Sequence, residues 1–193
     1  MAWQPPSIGE RPVLLQGAGV LGRRIAAVFI SGGYNVHLYD LSAESLHAAA
    51  DLIESDKADI TAKLTGLTAA KCGTCTVFDD LPSAAKDAWL AVEAVAENID
   101  LKVDVIGRLD EVCPRDCIIG SNSSSFRSSL MVDKVSDSRR KLVCNIHFTM
   151  PPDTRSVELM TDGSTYPEIF PFLEKVHRGC GMLPATAVKE STG

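Results

Sequence analysis

At 193 residues and 20.7 kDa, with 45% hydrophobic and 23% charged residues, the chain can bury one sizeable core and has the balance of a globular domain. A net charge of −6 and a pI near 5.2 exclude the basic face of a general nucleic-acid binder, but not a phosphate ligand, which backbone N–H groups hold without lysine or arginine. No apolar run approaches the roughly 18 to 20 residues that cross a bilayer, the opening MAWQPPSIGE has no secretory pattern, and the expectation is a soluble cytoplasmic protein without nucleic-acid or membrane partners.

Met1–Arg11, with its Pro5-Pro6 pair, reads as a loose arm ahead of one domain over residues 12–193. VLLQG (Val13–Gly17) is an apolar run ending on glycine, and Leu21–Ser31 has helical periodicity until Gly32-Gly33 stops it. Asn35–Asp40 is a second short strand. Ser42 is placed to cap a helix from Ala43 toward Lys63. Cys75–Asp80 reads as a strand and Pro82–Lys86 as a short helix. Ala88–Val95 is an apolar strand holding one acid, Glu93. A helix from about Leu101 to Val112 ends before Pro114. CIIGSN is a strand, SSLMVDKV a short helix, LVCNIHF and SVELM strands, Glu168–Arg178 a helix and MLPATAV a last strand. Apolar strands alternating with helices predict an α/β fold: a doubly wound, mainly parallel sheet covered on both faces.

The six cysteines form no metal or redox pattern. Cys117 and Cys144 sit in apolar strands, and CGTC (Cys72–Cys75) leads into a strand, whereas a redox CxxC opens a helix. They read as reduced thiols in core and loops. His37, His47 and His177 read as structural or exposed.

Gly17-Ala18-Gly19-Val20-Leu21-Gly22 fits G-x-G-x-x-G. Three glycines fit many turns, but these follow a strand, open a helix, and precede an acid, Asp40, at the end of the second strand. That context is the fingerprint of a Rossmann-type dinucleotide site. Gly17 serves the tight turn, Gly19 the approach of the pyrophosphate, and Gly22 the packing of helix on strand. The helix N-terminus offers free N–H groups and partial positive charge to the phosphates. Asp40 can accept from ribose hydroxyls and would repel a 2′-phosphate, and Leu41-Ser42 offers no arginine to receive one. The expected cofactor is NAD. Arg23 and Arg24 follow Gly22 and are expected to meet the pyrophosphate or solvent.

Further motifs follow in order: VEAVAENIDLK (Val92–Lys102), IIGSNSSSF (Ile118–Phe126), NIHF (Asn145–Phe148) and VELM (Val157–Met160). Together with the fingerprint, the stretch from about residue 12 onward resembles the NAD-binding domain of the 3-hydroxyacyl-CoA dehydrogenase family, with lambda-crystallin-like hydroxyacid dehydrogenases as near relatives. The resemblance implies oxidation of the hydroxyl of a 3-hydroxyacyl-CoA, or of a related hydroxyacid, as in fatty-acid metabolism. It implies His147 as the general base, Glu158 as the acid that orients it, and Ser124 as a contact to substrate and cofactor. Glu97, Lys102 and Asn122 fall at the family's cofactor end. A histidine near neutrality suits a base that takes a hydroxyl proton as hydride leaves carbon.

Two departures stand out. The family follows its histidine with F-N-P, whereas here His147-Phe148-Thr149-Met150-Pro151 puts Met150 where that asparagine would be, and histidine and glutamate are one residue closer. In the family, text like KESTG leads into a helical domain that closes the cleft. That domain is expected to be absent here, leaving a chain that binds NAD with little turnover alone and bares apolar surface for homo-oligomer formation. Of the family's CoA contacts only Lys63 has a counterpart. The competing reading is a non-catalytic NAD-binding module. A short-chain dehydrogenase is excluded, because none of Tyr34, Tyr39 and Tyr166 has lysine four residues on.

Overall fold

The computed structural model describes residues 3–190. The elements run β1 (Val13–Gln16), α1 (Val20–Ser31), β2 (Val36–Tyr39), α2 (Ala43–Lys63), β3 (Cys75–Phe78), α3 (Leu81–Ala85), β4 (Leu90–Glu93), α4 (Ile99–Val112), β5 (Ile118–Ser121), α5 (Asp137–Arg140), β6 (Val143–Met150), β7 (Thr154–Thr161), α6 (Ile169–Gly179) and β8 (Leu183–Thr186). The chain end, Ser191-Thr192-Gly193, for which a helical continuation is expected, lies outside the described residues.

The helices start where local chemistry says they should. Ser42 Oγ accepts from the Ser45 N–H at α2, Asp80 from Ser83 at α3, and Asn98 from Leu101 at α4. The Asn98 cap sets the start of α4 at Ile99, ahead of the expected Leu101. SSLMVDKV gives only a 3-10 turn over Ser128–Met131. The four residues of α5 carry no periodicity that could announce them. They are held from outside, by Arg139 bonding Asp110 and the carbonyls of Cys113, Pro114 and Cys117.

The eight strands form one sheet in the order β3-β2-β1-β4-β5-β6-β7-β8. All pairs are parallel except the β6–β7 hairpin. The register sets Tyr39, Gln16, Glu93 and Ser121 in one row at the carboxyl ends of β2, β1, β4 and β5. Chain order reverses between β1 and β4, which opens the crevice where such sheets bind ligands. One core packs α1, α2 and α6 on one face around Phe29, Ile53 and Leu173. A second packs α3 and α4 on the other around Leu14, Leu81 and Ile106.

The N-terminal arm is not loose from Trp3 onward. Trp3 sits edge-on against Phe172 at 5.6 Å. The Arg11 guanidinium forks onto Asp116 at 2.7 and 2.8 Å and reaches the carbonyls of Asp87 and Ala88. A bidentate pair and a ring contact order a segment that composition alone reads as free. All six cysteines are free thiols, four of them buried. His37, His47 and His177 each bond a backbone carbonyl through Nδ1, and burial pushes the His177 imidazole down to about 4.

Candidate active site

The loop from β1 to α1 is built for close backbone contacts. Gly17 has φ +116, a conformation costly for any residue with a Cβ, and a Cβ there would stand 2.5 Å from the Ala94 carbonyl oxygen. A Cβ on Gly22 would stand 2.0 Å from the Gly17 carbonyl oxygen, whereas a Cβ on Gly19 would meet nothing. The loop is thus packed against Ala94 at Gly17 and against its own backbone at Gly22, and open at Gly19. No side chain caps α1, so its first-turn N–H groups and partial positive charge face outward at Gly19. Asp40 holds the loop from β2, with Oδ2 accepting from the Ala18 N–H at 2.7 Å and Oδ1 from the Ser42 N–H at 2.9 Å. Gly22→Ala is therefore expected to displace the Gly17 carbonyl, at about 1–3 kcal/mol for an overpacked contact. Thermal melting should show that loss and calorimetry a weakened NAD affinity. Unchanged values for both would mean the loop has room this structure does not show.

Two hollows flank the loop and share Val95 and Ala96. One, of about 210 Å³, lies on the Gly17 side beside Asp40 and Leu41. The other, of about 410 Å³, runs from Gly19, Val20 and Leu21 to Asn122, Ser124 and His147. Side by side, the two hollows suit a two-part ligand whose middle would cross the N-terminus of α1.

Under the second hollow lies a buried ion network. Glu93 and Lys102 are 0% and 1% exposed, and the Lys102 Nζ donates to both Glu93 oxygens at 2.9 and 3.0 Å and pairs with Glu97 at 3.2 Å. Glu93 also accepts from the Ser121 hydroxyl and the Val95 N–H. Burial pushes the Glu93 carboxyl up, against the pull of Lys102. Burial also pushes Glu97 up, but the Ser123 hydroxyl at 2.5 Å, the Lys102 charge and the Ser125 N–H outweigh it and hold that carboxyl below its ordinary value. The network clamps the SNSSS loop onto the end of β4. Asn122 adds a second tie, its Oδ1 accepting from the Phe148 N–H at 2.8 Å, and Asn145 a third, donating to the Ser123 carbonyl at 3.0 Å. Ser124 is left exposed at the rim, its hydroxyl without a partner among the described residues.

His147 and Glu158 face each other across the β6–β7 hairpin, with Nδ1 to Oε2 at 2.8 Å. An imidazole held at Nδ1 by a carboxylate keeps Nε2 free to act as the base. His147 is mostly buried and Glu158 half exposed.

The expected site residues come together in two groups: Gly17 and Asp40 at one hollow; Gly19, Val20, Leu21, Asn122, Ser124, Glu97, Lys102 and His147 at the other. Ala18 joins them through its bond to Asp40, Gly22 through packing on the loop, and Glu158 through His147. Lys102 lines the second hollow, but its ammonium is taken up by Glu93 and Glu97. Arg24 is partly exposed, and its guanidinium is tied to the protein itself. It reaches the Pro151 carbonyl and Asp153 at the β6–β7 turn, both at 3.2 Å. Lys63 pairs with Asp59 one helical turn back. Glu93, Ser121, Ser123 and Asn145 were not legible as site-building residues. Only Glu93, an acid within an apolar strand, carried a signal, and the strand-to-helix step to Lys102 hid its partner.

The family model described as 3-hydroxyacyl-CoA dehydrogenase, NAD binding domain, matches residues 13–191. A probable 3-hydroxyacyl-CoA dehydrogenase of Caenorhabditis elegans is 30% identical over 194 residues, covering 95% of this chain and 63% of the relative. The 3-hydroxyadipyl-CoA dehydrogenase of Escherichia coli K12 is 31% identical over 185 residues, covering 92% of this chain and 38% of that enzyme. Among solved structures, a diketoreductase described as acting on dicarbonyl compounds superposes with a TM-score of 0.83 at 30% identity, covering 95% of this chain and 66% of that one. The chain spans less than two thirds of the length of both named dehydrogenases.

Proposed function

The chain belongs to the 3-hydroxyacyl-CoA dehydrogenase family, through that family's NAD-binding domain, and we propose that it serves the oxidation of a 3-hydroxyacyl-CoA or a related hydroxyacid with His147 as the base. NAD is the cofactor of this domain, and the residues fit it. The open face of Gly19 and the uncapped start of α1 suit the pyrophosphate, Asp40 suits ribose hydroxyls, and Glu97, Asn122 and Ser124 stand at the nicotinamide end. Bound NAD supplies the hydride acceptor.

His147 takes the hydroxyl proton of the substrate through Nε2. Glu158 keeps the Nδ1–H tautomer and balances the positive charge that forms. Ser124, unpartnered at the rim, donates to the reacting oxygen, and the Glu93–Lys102 network fixes the loop that carries it. The observation that carries this reading is the 2.8 Å His147–Glu158 pair at the far end of the same hollow that opens at Gly19. A helical domain of the kind the family adds would close the cleft against water. No helix among the described residues is long and apolar enough to cross a membrane.

One observation favours a second reading. Met150, 41% exposed at the end of β6, stands where the family has an asparagine near the nicotinamide, which suits a module that binds NAD without turnover. The two readings separate in an assay of NADH formation with 3-hydroxybutyryl-CoA. Catalysis predicts turnover that drops about tenfold in Glu158→Gln, where an amide replaces a charge-assisted hydrogen bond worth roughly 1–2 kcal/mol more. KM for NAD should hold. Tight NAD binding with no NADH formed by any form of the protein carrying this domain favours the module.

A further inference from the structure

Gln16 ends β1, one residue before the loop. The rest of that strand, Val13 to Leu15, is apolar and wholly buried, and Gln16 is 6% exposed. Its amide has no hydrogen-bond partner among the described residues, and Oε1 is sealed from solvent. A buried amide left unpaired is costly, and an apolar residue would fill this strand end at no such cost.

Gln16 lines the hollow of about 210 Å³ beside Asp40, whose walls include Leu41, Val95, Leu101 and Val105, and a neighbouring hollow of about 410 Å³ that shares Leu41, Leu101 and Val105. Leu41 is 84% exposed, an apolar surface with nothing of this chain on it. A ribose held by Asp40 would carry its base toward this hollow, where apolar walls suit a flat ring. A glutamine amide presents a donor and an acceptor side by side, and adenine presents the complementary pair at its 6-amino group and N7. Half a turn of the amide exchanges oxygen and nitrogen without changing its shape.

We propose that Gln16 is a specificity-determining residue that reads the adenine of the dinucleotide, its amide turning out of the sealed position into the hollow so that the oxygen accepts from the 6-amino group and the nitrogen donates to N7. This rests on the cofactor reading above and adds a base-specific contact to it.

Calorimetry on the full chain with NAD and with nicotinamide hypoxanthine dinucleotide, where a 6-oxo group replaces the 6-amino group, tests it. The wild-type chain is expected to bind the deaminated form about tenfold or more weakly, because two acceptors then oppose each other. Gln16→Met and Gln16→Leu should weaken NAD binding and bring the two affinities together. Both should melt no lower than wild type, since the amide has no partner to lose in the free protein, so a binding change cannot be put down to unfolding. Equal affinity of the wild-type chain for both dinucleotides overturns the inference while leaving the cofactor reading intact. So does discrimination that survives in both variants. Failure to bind either dinucleotide removes the cofactor reading and this one with it.

Discussion

Replacing His147 with glutamine is expected to lower turnover by roughly 10²–10⁴-fold, the span of a positioned general base, with NAD affinity nearly unchanged. The two effects separate because of where the residue stands. His147 lies at the end of the second hollow farthest from Asp40 and the first hollow, and its Nδ1 is already held by Glu158 at 2.8 Å. Glutamine keeps a polar side chain of similar reach but cannot take a proton near neutral pH. The loss should fall on kcat, measured as NADH formation by an active form of the protein, while calorimetry reports the same NAD affinity. Wild-type turnover in the variant would remove the base assignment. A parallel collapse of NAD affinity would instead make His147 a structural strut of β6. The loss should also exceed that of Glu158→Gln, since an orienting group acts only through the base.

Much of the architecture is legible in the sequence because local chemistry decides it. The glycines of the first loop, the cap residue Ser42, and the apolar runs of β1, β4 and β5 each carry their own signal, and strand–helix alternation fixes the parallel order. The site is legible where it lies along one segment or where a resemblance supplies the spacing, as for His147 and Glu158. It is illegible where side chains meet through the fold. Lys102 reads as a cofactor contact, yet its ammonium is buried against Glu93. Arg24 reads as a phosphate or solvent group, and its bonds to the β6–β7 turn, more than a hundred residues on, carry no signal in the sequence. Gln16 reads as the end of an apolar strand, and only its lack of partners in the folded chain makes it notable. Trp3 and Arg11 show the same limit from the other side, since a proline-rich arm is ordered by partners far along the chain.

The domain is expected to bind NAD(H) at least about 10²-fold more tightly than NADP(H), the ratio that several kcal/mol of like-charge contact implies. The structure gives the preference two sources. Asp40 is fixed by the Ala18 and Ser42 N–H groups at 2.7 and 2.9 Å, so its carboxylate cannot swing away from an arriving 2′-phosphate without releasing the loop. Neither Leu41 nor Arg24 supplies a cation to receive that phosphate. Leu41 follows Asp40, and Arg24 is engaged at Pro151 and Asp153. Asp40→Ala should therefore do two things at once. It removes the repulsion, which narrows the ratio between the cofactors, and it frees the loop, which weakens NAD itself. Salt distinguishes the parts. Raising ionic strength screens the exposed share of the charge contact and should narrow the wild-type ratio, but it should not restore the ordering that Asp40 gives the loop. Calorimetry with both cofactors at low and high salt reads all of this. NADP(H) bound as tightly as NAD(H) by the wild-type chain would sink the role assigned to Asp40.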